Sequence, residues 1–146
     1  MARDQRIHFL CADIGFSFVD PIQTDYLHRY HNMGVAEFVM VGAAIGLAQE
    51  GRIPVCYTIT PFEIFRPFEL LRTYVNHEGP SIRLVGAGRD MDYKTEGISH
   101  HAHDVRGFLN LLPNIRQFWP ENDEQVVASV NDFLFHPGPT FLSLRK

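Results

Sequence analysis

Apolar and polar positions alternate between two rhythms along this chain. Ile7-His8-Phe9-Leu10-Cys11-Ala12 and Ile53-Pro54-Val55-Cys56-Tyr57-Thr58-Ile59 are short, β-rich runs that read as buried strands. Ser81 to Gly86, Ile115 to Trp119 and Thr140 to Leu144 repeat that signal, and 26–30 gives a short second strand. Between these runs lie helical segments. The longest spans residues 32–48 and is stopped by Gly51. Pro61 opens a helix to about Asn76, in which Pro67 forces a kink or a break. His101 to Leu111 reads as a helix ended before Pro113. Asn122 caps a helix to about Phe135, with Val126, Val127, Val130, Phe133 and Leu134 on one face. Residues 16–23 are irregular, and 87–99 form a Gly- and charge-rich loop of functional length. Regular alternation of strand and helix predicts an α/β fold: a three-layer sandwich with a mainly parallel sheet, helices on both faces and right-handed crossovers. With no linker or repeat, residues 1–146 read as a single domain.

In such a sheet, ligands bind at the carboxyl ends of the strands. The residues expected there are Asp13, the 34–37 turn, 60–62, 86–101 and Pro120. Glu37, Phe62 and the histidines could therefore converge on one edge. The helix after the 34–37 turn stands out because Glu37 is its only charge between Gly34 and Ala48. A helix apolar all round is a buried helix, and a buried carboxylate needs a partner or a proton. Gly42, Ala43, Ala44, Gly46 and Ala48 add no bulk, so a backbone or a ligand can come close. The plainer alternative is a core helix whose acid is favoured at the first turn by the helix dipole. His100, His101 and His103 with Asp104 form a dense group, readable as a metal triad, a pair pointing into a cleft, or exposed histidines at a helix start. Phe62, Phe65 and Phe68 are core by type, though one could face a planar ligand.

Composition narrows the classes. Hydrophobic residues are 45% and charged residues 21% of the chain, ordinary globular values that allow a real core. The net charge is -4 with no basic run, which argues against a nucleic-acid partner. No stretch of 18 apolar residues predicts a membrane span, and the N-terminus lacks a signal-peptide core. Cys11 and Cys56 both sit in strand runs, as free thiols of a reducing cytoplasm would. Dinucleotide, P-loop and nucleophile-elbow motifs are absent.

One family fits these pieces together. Asn32-Met33-Gly34-Val35-Ala36-Glu37 followed by Gly42-Ala43-Ala44-Ile45-Gly46-Leu47-Ala48 resembles the pyrimidine-binding domain of transketolase, deoxyxylulose phosphate synthase and 2-oxoacid dehydrogenase β subunits. Thr95-Glu96-Gly97-Ile98-Ser99-His100 resembles that family's E-D-G-x-T-H loop, Leu112-Pro113-Asn114 its L/I-P-N, Pro120 the proline beyond it, and Gly138-Pro139-Thr140 its final G-P. The resemblance runs from about residue 6 to 145. It implies thiamine diphosphate as cofactor. In the family, a glutamate at the Glu37 position hydrogen-bonds N1′ of the aminopyrimidine and favours the imino tautomer that deprotonates thiazolium C2. The resemblance further implies an aromatic stacked on the pyrimidine at Phe62, an acid and an aliphatic residue near the cofactor at Asp13 and Ile14, and a substrate-facing histidine at His100, with His101 and Glu96 beside the substrate.

The chain also departs from the pattern. Phe38 stands where the family has glutamine, Ile59 where it has the first aromatic of T-F-x-x-F, and Thr95-Glu96 where it has E-D. No G-D-G…N-N motif for the diphosphate and Mg²⁺ occurs. The resemblance therefore implies a split transketolase-like enzyme, acting on a small molecule only together with a separate diphosphate-binding subunit. That subunit would hold the Mg²⁺, in an α2β2 heterotetramer. The alternative is a non-catalytic relative that serves assembly or regulation, which the loss of the glutamine and the aromatic favours.

Overall fold

The computed structural model describes all residues from Met1 to Lys146. Six strands form one sheet: β1 (Ile7–Cys11), β2 (Tyr30–Asn32), β3 (Ile53–Ile59), β4 (Arg83–Ala87), β5 (Arg116–Phe118) and β6 (Thr140–Leu144). Their spatial order is β2-β1-β3-β4-β6-β5, and every pairing is parallel. The helices are α1 (Asp20–Asp25), α2 (Glu37–Gln49), α3 (Thr60–Phe65), α4 (Phe68–Leu70), α5 (Asn76–Glu78), α6 (Val105–Leu109) and α7 (Asp123–Phe135).

Alternate side chains of each strand serve opposite faces. Leu10, Cys56, Leu84 and Phe141 join Met40, Val41, Ala44, Ile64, Val105 and Leu109 in one core cluster under α2, α3 and α6. Phe9, Val55, Val85 and Leu142 join Val19 and Phe133 in the cluster on the other face, under α7 and the segment around α1. These are the three layers expected. Both faces of the central strands are covered, so those strands read as continuous apolar runs.

Several local expectations are corrected. The second strand is Tyr30–Asn32, not 26–30, and a 3₁₀ turn occupies Leu27–Arg29. The stretch 16–23 is not wholly irregular, because Pro21 opens α1. The helix expected over 101–111 is only Val105–Leu109, and His100 closes a 3₁₀ turn, Ile98–His100. The helix from Pro61 does break at Pro67, and its continuation carries a π-helical turn at Leu71–Val75 before ending at Gly79. Asn122 caps α7 as expected, its side chain accepting from Gln125 N. On that helix, however, Val127 is exposed and only Phe133 is fully buried.

The helix α2 is not buried all round. Met40, Val41 and Ala44 face the sheet, while Phe38 and Val39, like Val35 just before the helix, are exposed. Its apolar outer face is therefore surface, and periodicity could not separate the two faces because both are apolar.

Candidate functional site

Register brings the strand exits together. Cys11 pairs with Tyr57, Ile59 with Ala87 and Ala87 with Leu144, so β1, β3, β4 and β6 end nearly level. Beyond β1, Asp13 adopts a positive φ of 51°. The side chain of Asn32, at the end of β2, clasps this exit. Its Oδ1 accepts from Asp13 N at 3.1 Å and from Gly34 N at 3.0 Å, and its Nδ2 donates to Asp13 Oδ1 at 3.2 Å. The clasp fixes the turn into α2, where Glu37 is the first helical residue and only 3% exposed.

The strand β3 runs directly into α3. Pro61 lies in its first turn, where a missing N–H costs nothing. Helix α3 lies hard against β4 at Gly86: a Cβ there would stand 2.4 Å from Thr60 Oγ1 and 3.1 Å from Thr60 Cα. Phe62 and Arg66 are four residues apart and share a helix face. Arg66 Nη1 donates to Glu37 Oε1 at 2.5 Å, and its Cζ lies 3.6 Å from the centroid of the Phe62 ring. His100 meets the same ring edge-on, with centroids 4.9 Å apart. Glu37, Arg66, Phe62 and His100 therefore form one contiguous row across the exits of β2, β3 and β4.

A second acid lies beneath this row. Glu63 is fully buried, and neither carboxylate oxygen has a partner. Burial, and then the Glu37 charge, push its carboxyl well above the usual range, which favours the neutral acid.

The remaining residues singled out from sequence do not join the row. Asp13 is exposed and engaged with Asn32, while Ile14 packs with the cluster on the opposite face of the sheet. Glu96 is exposed and accepts from Thr95 Oγ1 at 3.2 Å. His101 Nε2 lies 3.3 Å from Lys94 O, and its ring centroid is 6.3 Å from that of His103. No three or more His, Cys, Asp or Glu side chains gather where they could hold a metal ion, so the triad reading has no ligand set. In the loop after β4, Gly88 has φ of 77°, and a Cβ there would stand 2.1 Å from Tyr93 Cε2. Arg89 is 2% exposed, donates Nη1 to Glu121 Oε1 at 2.8 Å and Nη2 to Pro120 O, and leaves Nε unpartnered.

Sequence reasoning missed Arg66 and Glu63. Between Phe62 and Ile64, Glu63 is a lone acid in an apolar run just as Glu37 is, so the same signal could have found it. Arg66 carried a signal too: it is a cation at helical spacing from Phe62, just before a helix-breaking proline.

A parallel α/β sandwich with an acid, an aromatic and a histidine aligned on its carboxyl edge places these side chains where sheets of this class bind ligands. The chain belongs to the family described as the transketolase pyrimidine binding domain, whose sequence pattern matches residues 1–146. It is 28% identical to the 6-deoxy-6-sulfo-D-fructose transketolase subunit SqwH of Clostridium sp. (strain MSTE9), over 99% of this chain and 45% of that protein. It is 27% identical to one of the subunits of the apulose-4-phosphate transketolase of Actinobacillus succinogenes, over 86% of this chain and 40% of that one. Among solved structures, a split gene transketolase described as an inactive beta4 tetramer superposes with a TM-score of 0.84 at 26% identity, over 99% of this chain and 46% of that chain. Transketolase from Leishmania mexicana also gives 0.84, at 20% identity, over 96% of this chain and 22% of that chain, a likeness of fold. The chain thus spans less than half the length of these relatives.

Proposed function

We propose that this chain is the pyrimidine-binding part of a split, thiamine-diphosphate-dependent, transketolase-like enzyme, and that residues 1–146 form one such domain. One observation carries the reading: a single planar, nitrogen-bearing group, the guanidinium of Arg66, lies over the Phe62 ring and is hydrogen-bonded to Glu37. An aminopyrimidine ring asks for the same two contacts, so the residues fit the group.

Bound thiamine diphosphate would supply the carbanion chemistry; the chain supplies orientation and proton traffic. Glu37, 3% exposed, would hydrogen-bond ring nitrogen N1′ in a low-dielectric site that strengthens the bond. Phe62 would present its ring to the pyrimidine face. His100, edge-on to Phe62, stands where it can donate to or accept from a substrate oxygen. His101, Glu96, Asp13 and Ile14 would approach cofactor or substrate only in the assembled enzyme.

The diphosphate and its Mg²⁺ fall to a separate chain in this proposal, and an α2β2 assembly is the arrangement we favour. The exposed Val35, Phe38 and Val39 beside Glu37 support a partner surface at this edge. That a solved split-gene relative is described as an inactive tetramer of one chain type is consistent with a need for both chains. No helix is long and apolar enough to cross a membrane, and the buried free thiols of Cys11 and Cys56 suit the cytoplasm we assign.

The test is reconstitution with a separate diphosphate-binding transketolase chain, followed by thiamine-diphosphate-dependent turnover. Glu37→Gln is expected to lose about 100-fold or more in kcat. Full activity in that variant would remove Glu37 from the mechanism. Assembly without turnover for the unaltered chain would favour the non-catalytic reading.

A further inference from the structure

The contacts around Arg66 go beyond a fit. We infer that Arg66 is a built-in occupant of the pyrimidine seat, which the cofactor ring must displace before Glu37 and Phe62 can receive it. This rests on the reading of those two residues as the seat.

Both of its contacts are short. The guanidinium carbon is 3.6 Å from the Phe62 centroid, and Nη1 is 2.5 Å from Glu37 Oε1. A ring stacked on that face and bonded to that oxygen would occupy the same volume. Planarity, N–H donors and affinity for aromatic faces make guanidinium a close mimic of an aminopyrimidine edge. The side chain is not locked in. It is 40% exposed, so it can swing to solvent without unpacking the core. It also stands at the loose end of α3, where Pro67 offers no N–H to continue the helix.

Displacement changes charge as well as space. Paired with Arg66, Glu37 is a carboxylate and can only accept hydrogen bonds. Ring nitrogen N1′ is also an acceptor, so a bond between the two needs a proton, whereas the guanidinium brings its own donor. The other ionisable groups at this point are Glu63 from α3, itself a buried acid, and His100 beyond Phe62. Neither replaces the guanidinium as a counterion to Glu37. Arg66 thus acts as a positioning residue: it occupies the Glu37 oxygen and covers the Phe62 ring until the pyrimidine arrives.

The experiment measures binding of 4-amino-5-hydroxymethyl-2-methylpyrimidine, the free ring of the cofactor, to the full chain. Ligand-observed NMR gives affinity, and calorimetry in buffers of different ionisation enthalpy gives proton uptake. Arg66→Gln should bind the ring about tenfold more tightly than the unaltered chain. Its proton uptake on binding should also differ from that of the unaltered chain, because Glu37 has lost its counterion. Arg66→Lys, which keeps the charge and loses the planar stack, should fall between them. Equal or weaker binding in Arg66→Gln, with proton uptake unchanged, overturns the inference while leaving the seat intact. Binding that is indifferent to Glu37→Gln and Phe62→Ala overturns the seat itself, and the inference with it.

Discussion

The two ends of the sheet treat buried polar groups in opposite ways. At the amino end of β4, Arg83 is fully buried yet spends every N–H. Its Nε donates to Leu134 O at 2.8 Å. Nη1 donates to Ile82 O at 3.2 Å and Gly138 O at 2.6 Å, and Nη2 to Ser81 Oγ at 2.6 Å and His136 O at 2.5 Å. Burial lowers its pKa only to about 10, so it stays charged at neutral pH, facing the carbonyl-rich end of α7. At the carboxyl end the accounts are open. Thr60 Oγ1, both oxygens of Glu63, Arg89 Nε and Ser143 Oγ are buried without a partner. Buried polar groups are normally satisfied, so their concentration at one edge is informative. The amino end is fully hydrogen-bonded, whereas the carboxyl end carries buried polar atoms without partners.

The sharpest way to break this contrast is to open the amino end. Arg83→Met removes the donors to four carbonyls and one hydroxyl while keeping much of the packing. The cost should be about 3–5 kcal/mol, since the stranded acceptors tie α7 and the 136–138 turn to β4. Urea unfolding followed by circular dichroism measures it. A loss below about 1 kcal/mol would mean that the satisfied network is incidental.

The contrast also explains what the sequence could show. Strand and helix order, the Gly51 stop, the Asn122 cap and the break at Pro67 rest on local chemistry and are visible in single residues. The half-exposed face of α2 was hidden because Phe38 and Val39 are as apolar as Met40 and Val41. The helix expected over 101–111 shrank because the chain at 101–104 is held by a tertiary contact, the bridge between Asp90 and Ala102, which spacing does not reveal. At the site, the family register singled out Glu37, Phe62 and His100, and the fold brings these three together. Their meeting point was not, because it runs through Arg66, a residue whose part depends on its rotamer and not on its position in the sequence.

The second test closes the open end. Glu63 has no partner for either oxygen, so replacing it with a hydrocarbon of similar length should stabilise the chain. Glu63→Met is expected to gain about 1–2 kcal/mol at pH 7. The pH dependence carries the sign. The folded pKa is raised above the ordinary value of 4.5, so an unfolded Glu63 ionises first. Its contribution to stability is full below 4.5 and is lost as pH rises toward the folded value. The variant should therefore show a flatter stability profile from pH 4.5 upward. An unchanged slope would mean that Glu63 binds its proton alike in the folded and unfolded chain.

The smallest expected effect lies on the edge strand, where satisfaction is conditional. His8 Nδ1 and His31 Nε2 are 3.1 Å apart, in rings 2° from parallel with centroids 5.5 Å apart. Their nitrogens are much closer than their centroids, so the rings meet end to end through a hydrogen bond that needs one nitrogen free of a proton. Burial lowers both pKa values from 6.5, and for His8 the charges of His31, Arg52 and Arg29 add to it. Unfolded histidines take up protons near 6.5, before the folded pair does. Stability from this pair is therefore present above that pH and lost as pH falls through it. Urea midpoints at about pH 7.5 and about pH 5.0 should drop less for His31→Gln, which keeps an uncharged donor, than for the unaltered chain. Equal drops in the two proteins would show that this pair is satisfied regardless of protonation, as Arg83 is.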